Sequence, residues 1–217
     1  MLTIKWYGHA CFELLDSKGR SIVIDPHDGR SIGIRRPEVT ADAVLITHEH
    51  FDHNAYQGIL KEHGELHVMR TGRFNVLGYE TLGLRTFHDK SKGKRRGEVV
   101  VYRINVEGVN VVHLGDLGYI PPGEELKSLT PVDILMLPVG GTFTIDAREA
   151  LQLSDKLTPK AVIPMHYWVE GINLPLAPLS DFIKIVTNRR IINLESNAWN
   201  ISRDEIPSNV VIVFKLV

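Results

Sequence analysis

The chain of 217 residues has a single cysteine, Cys11, so no internal disulfide can brace it. Cys11 lies in the apolar stretch from Ala10 to Leu15, the setting of a buried, inert thiol. Neither sign of charge is in excess: 25 basic against 26 acidic residues leave a net charge of −1. A global field steering the protein to nucleic acid or an anionic membrane is therefore missing. No apolar run is long enough to span a bilayer, and Met1 to Tyr7 lacks the charged-then-apolar order of a signal peptide. Gly/Ser linkers, low-complexity tracts and internal repeats are also missing. With 43% hydrophobic residues to form a core, the expectation is one domain over residues 1–217, cytoplasmic, acting on a small molecule without nucleic-acid or membrane partners.

What the chain does have is histidine in the wrong place for chance. Thr47-His48-Glu49-His50-Phe51-Asp52-His53 puts three imidazoles and a carboxylate into one short window. With ten histidines in the chain, random placement would produce this pattern roughly once in a thousand such sequences. A solvated surface cluster is the alternative, and it weakens if the chain supplies further ligands elsewhere.

The run before the cluster, Ala43 to Thr47, is continuously apolar, the pattern of a strand buried on both faces. If the chain stays extended, His48, His50 and Asp52 share one side because strand side chains alternate. A turn is expected next, with Asp52 or Asn54 capping a helix from Ala55 to His63. Such a turn splits the donors into two sets, His48 with His50 and Asp52 with His53. This suits two metal ions about 3.5–4 Å apart that share a hydrolytic water.

Elsewhere the first half is strand-rich, with Thr3 to Tyr7, Cys11 to Leu15, Ser21 to Asp25, Leu66 to Met69 and Gly83 to Phe87. Glu98 to Val106 and Asn110 to Leu114 read as a hairpin turning at Glu107-Gly108. Asp133 to Val139 and Ala161 to Met165 read as buried strands. Between them Asp146 and Glu149 are spaced as a capping box for a helix ending at Leu157. A last helix from Leu179 to Asn188 and strands near Ile191 to Leu194 and Val210 to Leu216 complete a two-sheet arrangement under helical layers. Three more strands end on potential ligands: Phe87 before His88, Val112 before His113 and Asp116, and Met165 before His166. A lone histidine closing a strand is usually a satisfied hydrogen-bond partner. Four strands converging on one site is the simpler account of all of them together.

At this point the chain resembles the metallo-β-lactamase-fold hydrolases, and within them the L-ascorbate-6-phosphate lactonase branch. The resemblance rests on the His-x-His-x-Asp-His cluster, on Tyr7-Gly8-His9-Ala10-Cys11-Phe12 and Ile24-Asp25-Pro26, and on His113-Leu114-Gly115-Asp116-Leu117-Gly118. It also rests on Leu137-Pro138-Val139-Gly140-Gly141-Thr142-Phe143-Thr144 and Ile163-Pro164-Met165-His166-Tyr167. It implies an α+β fold, a four-layer αββα sandwich with metals at one edge between the sheets. Position by position, it makes His48, His50 and His88 ligands of one metal and Asp52, His53 and His166 ligands of a second. Asp116 bridges the two, and Asp52 and Asp116 are the carboxylates of catalysis. His113, three residues before Asp116, competes with His88 for the third place; family position favours His88 and leaves His113 to orient the site from behind.

With imidazole and carboxylate donors and no thiolate, Zn²⁺ is the default cofactor, and Mn²⁺ or Fe²⁺ also suit the set. The implied chemistry is attack by a hydroxide bridging two metals on a small lactone or ester. A phosphodiesterase or nuclease is the alternative, although the nuclease branches carry an inserted domain or arm, and only 50 positions separate Asp116 from His166 here. A non-catalytic metal-binding scaffold is the third reading, and it would be expected to lack ligands.

Around this core, His9 and Asp25 can hold the ligands' outer nitrogens, with a turn-capping Asp25 equally open. Thr142 sits in a loop able to touch substrate, and Tyr167 and Trp168 can wall the pocket or simply pack. His27, Asp28, His63 and His67 read as residues of solvated turns or helix ends. The basic run of Lys90, Lys92, Lys94, Arg95 and Arg96 follows His88 closely; it is either a solvated loop or an attractor for an anionic substrate. Val169 to Ser180 can cover the pocket or make a homo-oligomer contact, and both stay open.

Overall fold

A computed structural model describes residues 1–216. In chain order the strands are β1 (Leu2–Trp6), β2 (Phe12–Leu15), β3 (Ser21–Ile24), β4 (Ala41–Ile46), β5 (Leu60–Val68), β6 (Gly72–Val76) and β7 (Tyr79–Phe87). They continue as β8 (Glu98–Val106), β9 (Val109–His113), β10 (Ile134–Pro138), β11 (Ala161–Met165), β12 (Arg190–Asn193), β13 (Ala198–Ile201) and β14 (Val210–Val213). The helices are α1 (Gly123–Leu129), α2 (Ala147–Leu157) and α3 (Leu179–Ile183).

Two mixed sheets result, as an α+β sandwich requires. One runs β13-β1-β2-β3-β4-β5, the other β12-β14-β11-β10-β9-β8-β7-β6. Their order follows from burial. Strands β9, β10 and β11 are buried at every position, and β9-β10-β11 pair in parallel at the centre of the second sheet. Strand β1 alternates buried and half-buried residues and pairs antiparallel with β2, as a strand with one covered face does. Leu2, Ile4, Phe12 and Leu14 from the first sheet and Tyr102, Ile104, Val111 and Ile134 from the second belong to one core cluster.

Helix α2 carries the capping box that Asp146 and Glu149 foretell: the Asp146 carboxylate accepts from the Arg148 and Glu149 amides, each at 2.9 Å. It packs on β10 and α3. Among the described residues, the other outer face has no such helix. Of residues 55–63, expected to be helical, 55–59 form a turn and 60–63 already belong to β5. Gly58 adopts φ +77, which a helix cannot propagate, and from Leu60 the backbone pairs in parallel with β4. Asp52 and Asn54 therefore cap nothing; the Asn54 side chain donates instead to the Glu49 carbonyl at 3.2 Å. Ile59, with Tyr56 and Leu60 against it, covers Cys11, Val23, Val44 and Ile46 on this face. The last helix also stops earlier than the pattern suggests, at Ile183 rather than Asn188. No helix among the described residues is long and apolar enough to cross a membrane.

Candidate metal centre

The strands that form the core also bring the donors together. His48 follows β4 and Asp25 follows β3 in the first sheet; His88 follows β7, Asp116 lies three residues past β9, and His166 follows β11 in the second. The seam is closed by the backbone: the His166 amide donates to the His9 carbonyl at 3.1 Å. After β4 the chain turns, with the His53 amide donating to the His50 carbonyl at 3.0 Å, and this turn sends the two pairs of the cluster in different directions.

Two sets of donors form. His48, His50 and His88 bring ligand atoms within 4.8 Å of one another, and so do His9, Asp52, His53 and His166. Asp116 stands between the sets. Its Oδ2 lies 3.2 Å from His88 Nε2 and 3.8 Å from His48 Nε2 on one side, and 3.0 Å from His166 Nε2 on the other. Its Oδ1 lies 3.4 Å from His53 Nε2.

Behind the donors, one carboxylate fixes two imidazoles. Asp25 accepts the Thr47 amide at 2.7 Å, the Thr47 hydroxyl at 2.6 Å and His53 Nδ1 at 3.0 Å. The Thr47 oxygen in turn accepts from His48 Nδ1 at 3.0 Å. With Nδ1 donating in both rings, Nε2 of His48 and of His53 is the free lone pair aimed at the site. A third grouping, Asp25 with His48 and His53, is equally close, but both Asp25 oxygens are spent on these donors.

The fit to cations rests on buried atoms without partners. Nε2 of His48, of His53 and of His166 and Oδ1 of Asp116 are buried and make no hydrogen bond among the described residues. Orphans of this kind are costly unless something satisfies them. The charges agree. Burial, reinforced by neighbouring His53, holds the His48 pKa well below its ordinary value, keeping the ring in the neutral form that ligates. Burial would do the same to His53, yet the Asp116 and Asp52 carboxylates raise it well above the ordinary value. Asp116 is shifted down against its burial by His166 and His53. Two carboxylates in a buried space call for positive charge, which divalent ions supply.

The remaining predicted residues fall as follows. His113 has both nitrogens committed, Nε2 to the Ala10 carbonyl at 2.9 Å and Nδ1 to the Gly115 amide at 3.1 Å; it holds the loop that carries Asp116. His9 comes closer than the sequence suggests: its Nε2 lies 3.1 Å from Asp52 Oδ2, against the carboxylate rather than behind an imidazole. Burial and His166 lower its pKa to about 3. Thr142 lines one cavity with His88, while its hydroxyl donates to the Pro175 carbonyl at 2.7 Å. Tyr167 does not wall that cavity; it is buried 5.4 Å from the Trp6 ring. Trp168 is exposed. His27, expected in a solvated turn, is buried with Nε2 3.0 Å from the Tyr7 carbonyl. Thr47, which links Asp25 to His48, is a residue that sequence reading missed, since a threonine closing a buried strand carries no signal of its own.

A two-sheet sandwich with histidines and aspartates gathered where the sheets meet defines a β-lactamase superfamily domain, and the model of that domain matches residues 3–166. The chain belongs to the metallo-β-lactamase superfamily and, within it, to the UPF0173 family of metal-dependent hydrolases. A UPF0173 metal-dependent hydrolase of Thermococcus onnurineus is 34% identical over 193 residues, covering 77% of this chain and 85% of its own length. A UPF0173 protein of Pyrococcus furiosus is 31% identical over 209 residues, covering 88% of this chain and 93% of its own. A crystal structure from Thermotoga maritima, described as a candidate zinc-dependent hydrolase of the superfamily, is 34% identical with a TM-score of 0.77, covering 99% of this chain and 98% of that one.

Proposed function

We propose that this protein hydrolyses a small lactone or ester at a dinuclear metal centre. The observation that carries the reading is Asp116, whose two oxygens face histidines of both donor sets while Oδ1 has no hydrogen-bond partner. His48, His50 and His88 would hold one divalent ion and Asp52, His53 and His166 the other, with Asp116 between them. The donor set suits Zn²⁺ first and Mn²⁺ or Fe²⁺ after it. When bound, the ions supply Lewis acidity and lower the pKa of a shared water enough to make it a nucleophile near neutral pH.

The chain's own residues prepare that chemistry. Asp25 and Thr47 lock the ring orientations of His53 and His48. His9 holds the Asp52 carboxylate in place. Burial of His48, His53, His88, Asp116 and His166 removes competing bulk water, while His50 stays partly exposed and marks the side from which substrate arrives. A small substrate suits a chain of near-neutral charge better than nucleic acid does. The likeness of the quoted motifs to the lactonase branch supports a lactone or ester over a phosphodiester.

The test is metal analysis followed by a hydrolysis screen of lactones, simple esters and cyclic phosphodiesters. Turnover of a lactone or ester that is abolished by Asp116→Ala is expected. Turnover of phosphodiesters alone would move the protein to the phosphodiesterase class, and a fully loaded protein inert on every substrate would make it a scaffold.

A further inference from the structure

His9 occupies a strained place in the chain. It is a non-glycine residue at φ +53, directly after Gly8, a left-handed conformation that costs energy and collects at functional sites. In that conformation one residue serves three groups. Its carbonyl accepts the His166 amide and the Trp6 indole N–H, each at 3.1 Å, while its imidazole Nε2 lies 3.1 Å from Asp52 Oδ2. The ring is fully buried, and Nδ1 has no hydrogen-bond partner among the described residues. A buried ring that leaves one nitrogen unpaired is placed for the bond made by the other. With Asp52 ionised, that bond runs from Nε2–H to the carboxylate.

The donors that His9 engages all belong to the second set. Besides Asp52, its ring lies 4.1 Å from the His166 ring and 5.0 Å from the His53 ring, centre to centre. Among the described residues, no hydrogen bond or ring contact joins it to His48, His50 or His88, whose rings meet one another at 4.5, 4.9 and 5.0 Å. Asp25 is different: it holds His53 directly and His48 through Thr47, one donor of each set. The His9 bond also lands on an oxygen that faces the site, since Asp52 Oδ2 lies 3.6 Å from His53 Nε2.

We propose that His9 is a positioning residue for one metal ion alone. It sets the affinity of the ion held by Asp52, His53 and His166 and leaves the ion held by His48, His50 and His88 untouched. The proposal rests on the dinuclear reading and deepens it, because the two ions become unequal and separately tunable. Without the Nε2–H bond the Asp52 carboxylate can turn about its own side-chain bonds, and the second set has one oriented oxygen fewer. The carbonyl of residue 9 still anchors His166, which confines the loss to Asp52.

The experiment is stepwise calorimetric titration of the chelator-stripped protein with Zn²⁺, comparing wild type, His9→Asn and His9→Gln. Asparagine tolerates the left-handed backbone, but its amide stops short of the place of Nε2, whereas the longer glutamine carries an N–H to about that place. The bonds to His166 and Trp6 come from the backbone, so both variants keep the loop, and melting temperatures of the same samples check it. In His9→Asn one dissociation constant is expected to rise about 10- to 100-fold while the other stays as in wild type, and His9→Gln is expected to recover most of the loss. In a His88→Ala background, which keeps only the second ion, His9→Asn should weaken that ion by the same factor. Equal weakening of both ions, weakening of neither, or a loss as large in His9→Gln as in His9→Asn would overturn the positioning role, and two ions in wild type would still uphold the dinuclear reading. A wild type that binds one ion sinks that reading instead. The positioning role then stands if His9→Asn weakens this ion and His9→Gln restores it, and falls otherwise.

Discussion

Asp25 accepts a hydrogen bond from His53 Nδ1 at 3.0 Å, and the opposite nitrogen, Nε2, thereby faces Asp116 Oδ1 at 3.4 Å. Every group on Asp25 is a donor: the Thr47 amide, the Thr47 hydroxyl and the imidazole. Asp25→Asn would turn an NH₂ toward donors and release one ring. Metal affinity, measured by competition with a chromophoric chelator, should fall about 10- to 100-fold. Unaltered affinity would show that Asp25 merely caps a turn.

Two glycines set how closely the loops approach the ligands. A Cβ on Gly118 would lie 2.3 Å from the His88 carbonyl carbon, and one on Gly140 would lie 2.1 Å from the His166 carbonyl oxygen. Backbone cannot yield as a side chain can, so Gly118→Ala and Gly140→Ala should each cost about 1–3 kcal/mol in denaturant unfolding. Gly123→Ala, which meets nothing within 4 Å, should be neutral or slightly stabilising at the start of α1. Equal effects at all three positions would count against the close-approach argument.

Much of this was legible beforehand, and the reasons differ by element. The buried runs of β4, β10 and β11 and the capping box of α2 carry local signals strong enough to stand alone. Residues 55–63 misled because Ile59 and Leu60 mimic the start of an apolar helical stripe, while the decisive features are Gly58 in a left-handed turn and a parallel partner in β4. His48 and His50 stood out through the local cluster and His88 and His166 through their places just after strands, and the structure brings all four close to Asp52, His53 and Asp116. The Thr47 relay was not legible, because it exists only once Asp25 and His48 meet from different strands. Nor was the contact of His9 with Asp52, which joins residues 43 positions apart.

Acid stability should depend on Asp16. Burial alone would raise its pKa, but the Arg20 amide, the Tyr79 hydroxyl, the Arg20 guanidinium and the Lys18 amide hold it below the usual carboxylate range. A depressed folded pKa stabilises the protein at pH above the unfolded value of about 3.9, and that contribution is lost as pH falls through the folded value. Urea unfolding between pH 5 and pH 2 should therefore show a shallower loss for Asp16→Asn than for wild type. Parallel curves would mean that the link from the β2–β3 turn to Tyr79 of β7 is not coupled to protonation.

Cys11 is fully buried, and burial, with Asp25 next, pushes its thiol pKa up. A chromogenic disulfide reagent should find no reactive thiol in the native protein and one in urea. Rapid labelling under native conditions would place Cys11 at an accessible surface.

The central claim is that two metal ions are held by two distinct donor sets joined through Asp116, and metal stoichiometry tests it most directly. Elemental analysis of purified protein should return two ions per chain for wild type and one for His88→Ala, which removes a donor from the first set only. Two ions per chain retained in His88→Ala, or a single ion in the fully loaded wild type, would contradict the account.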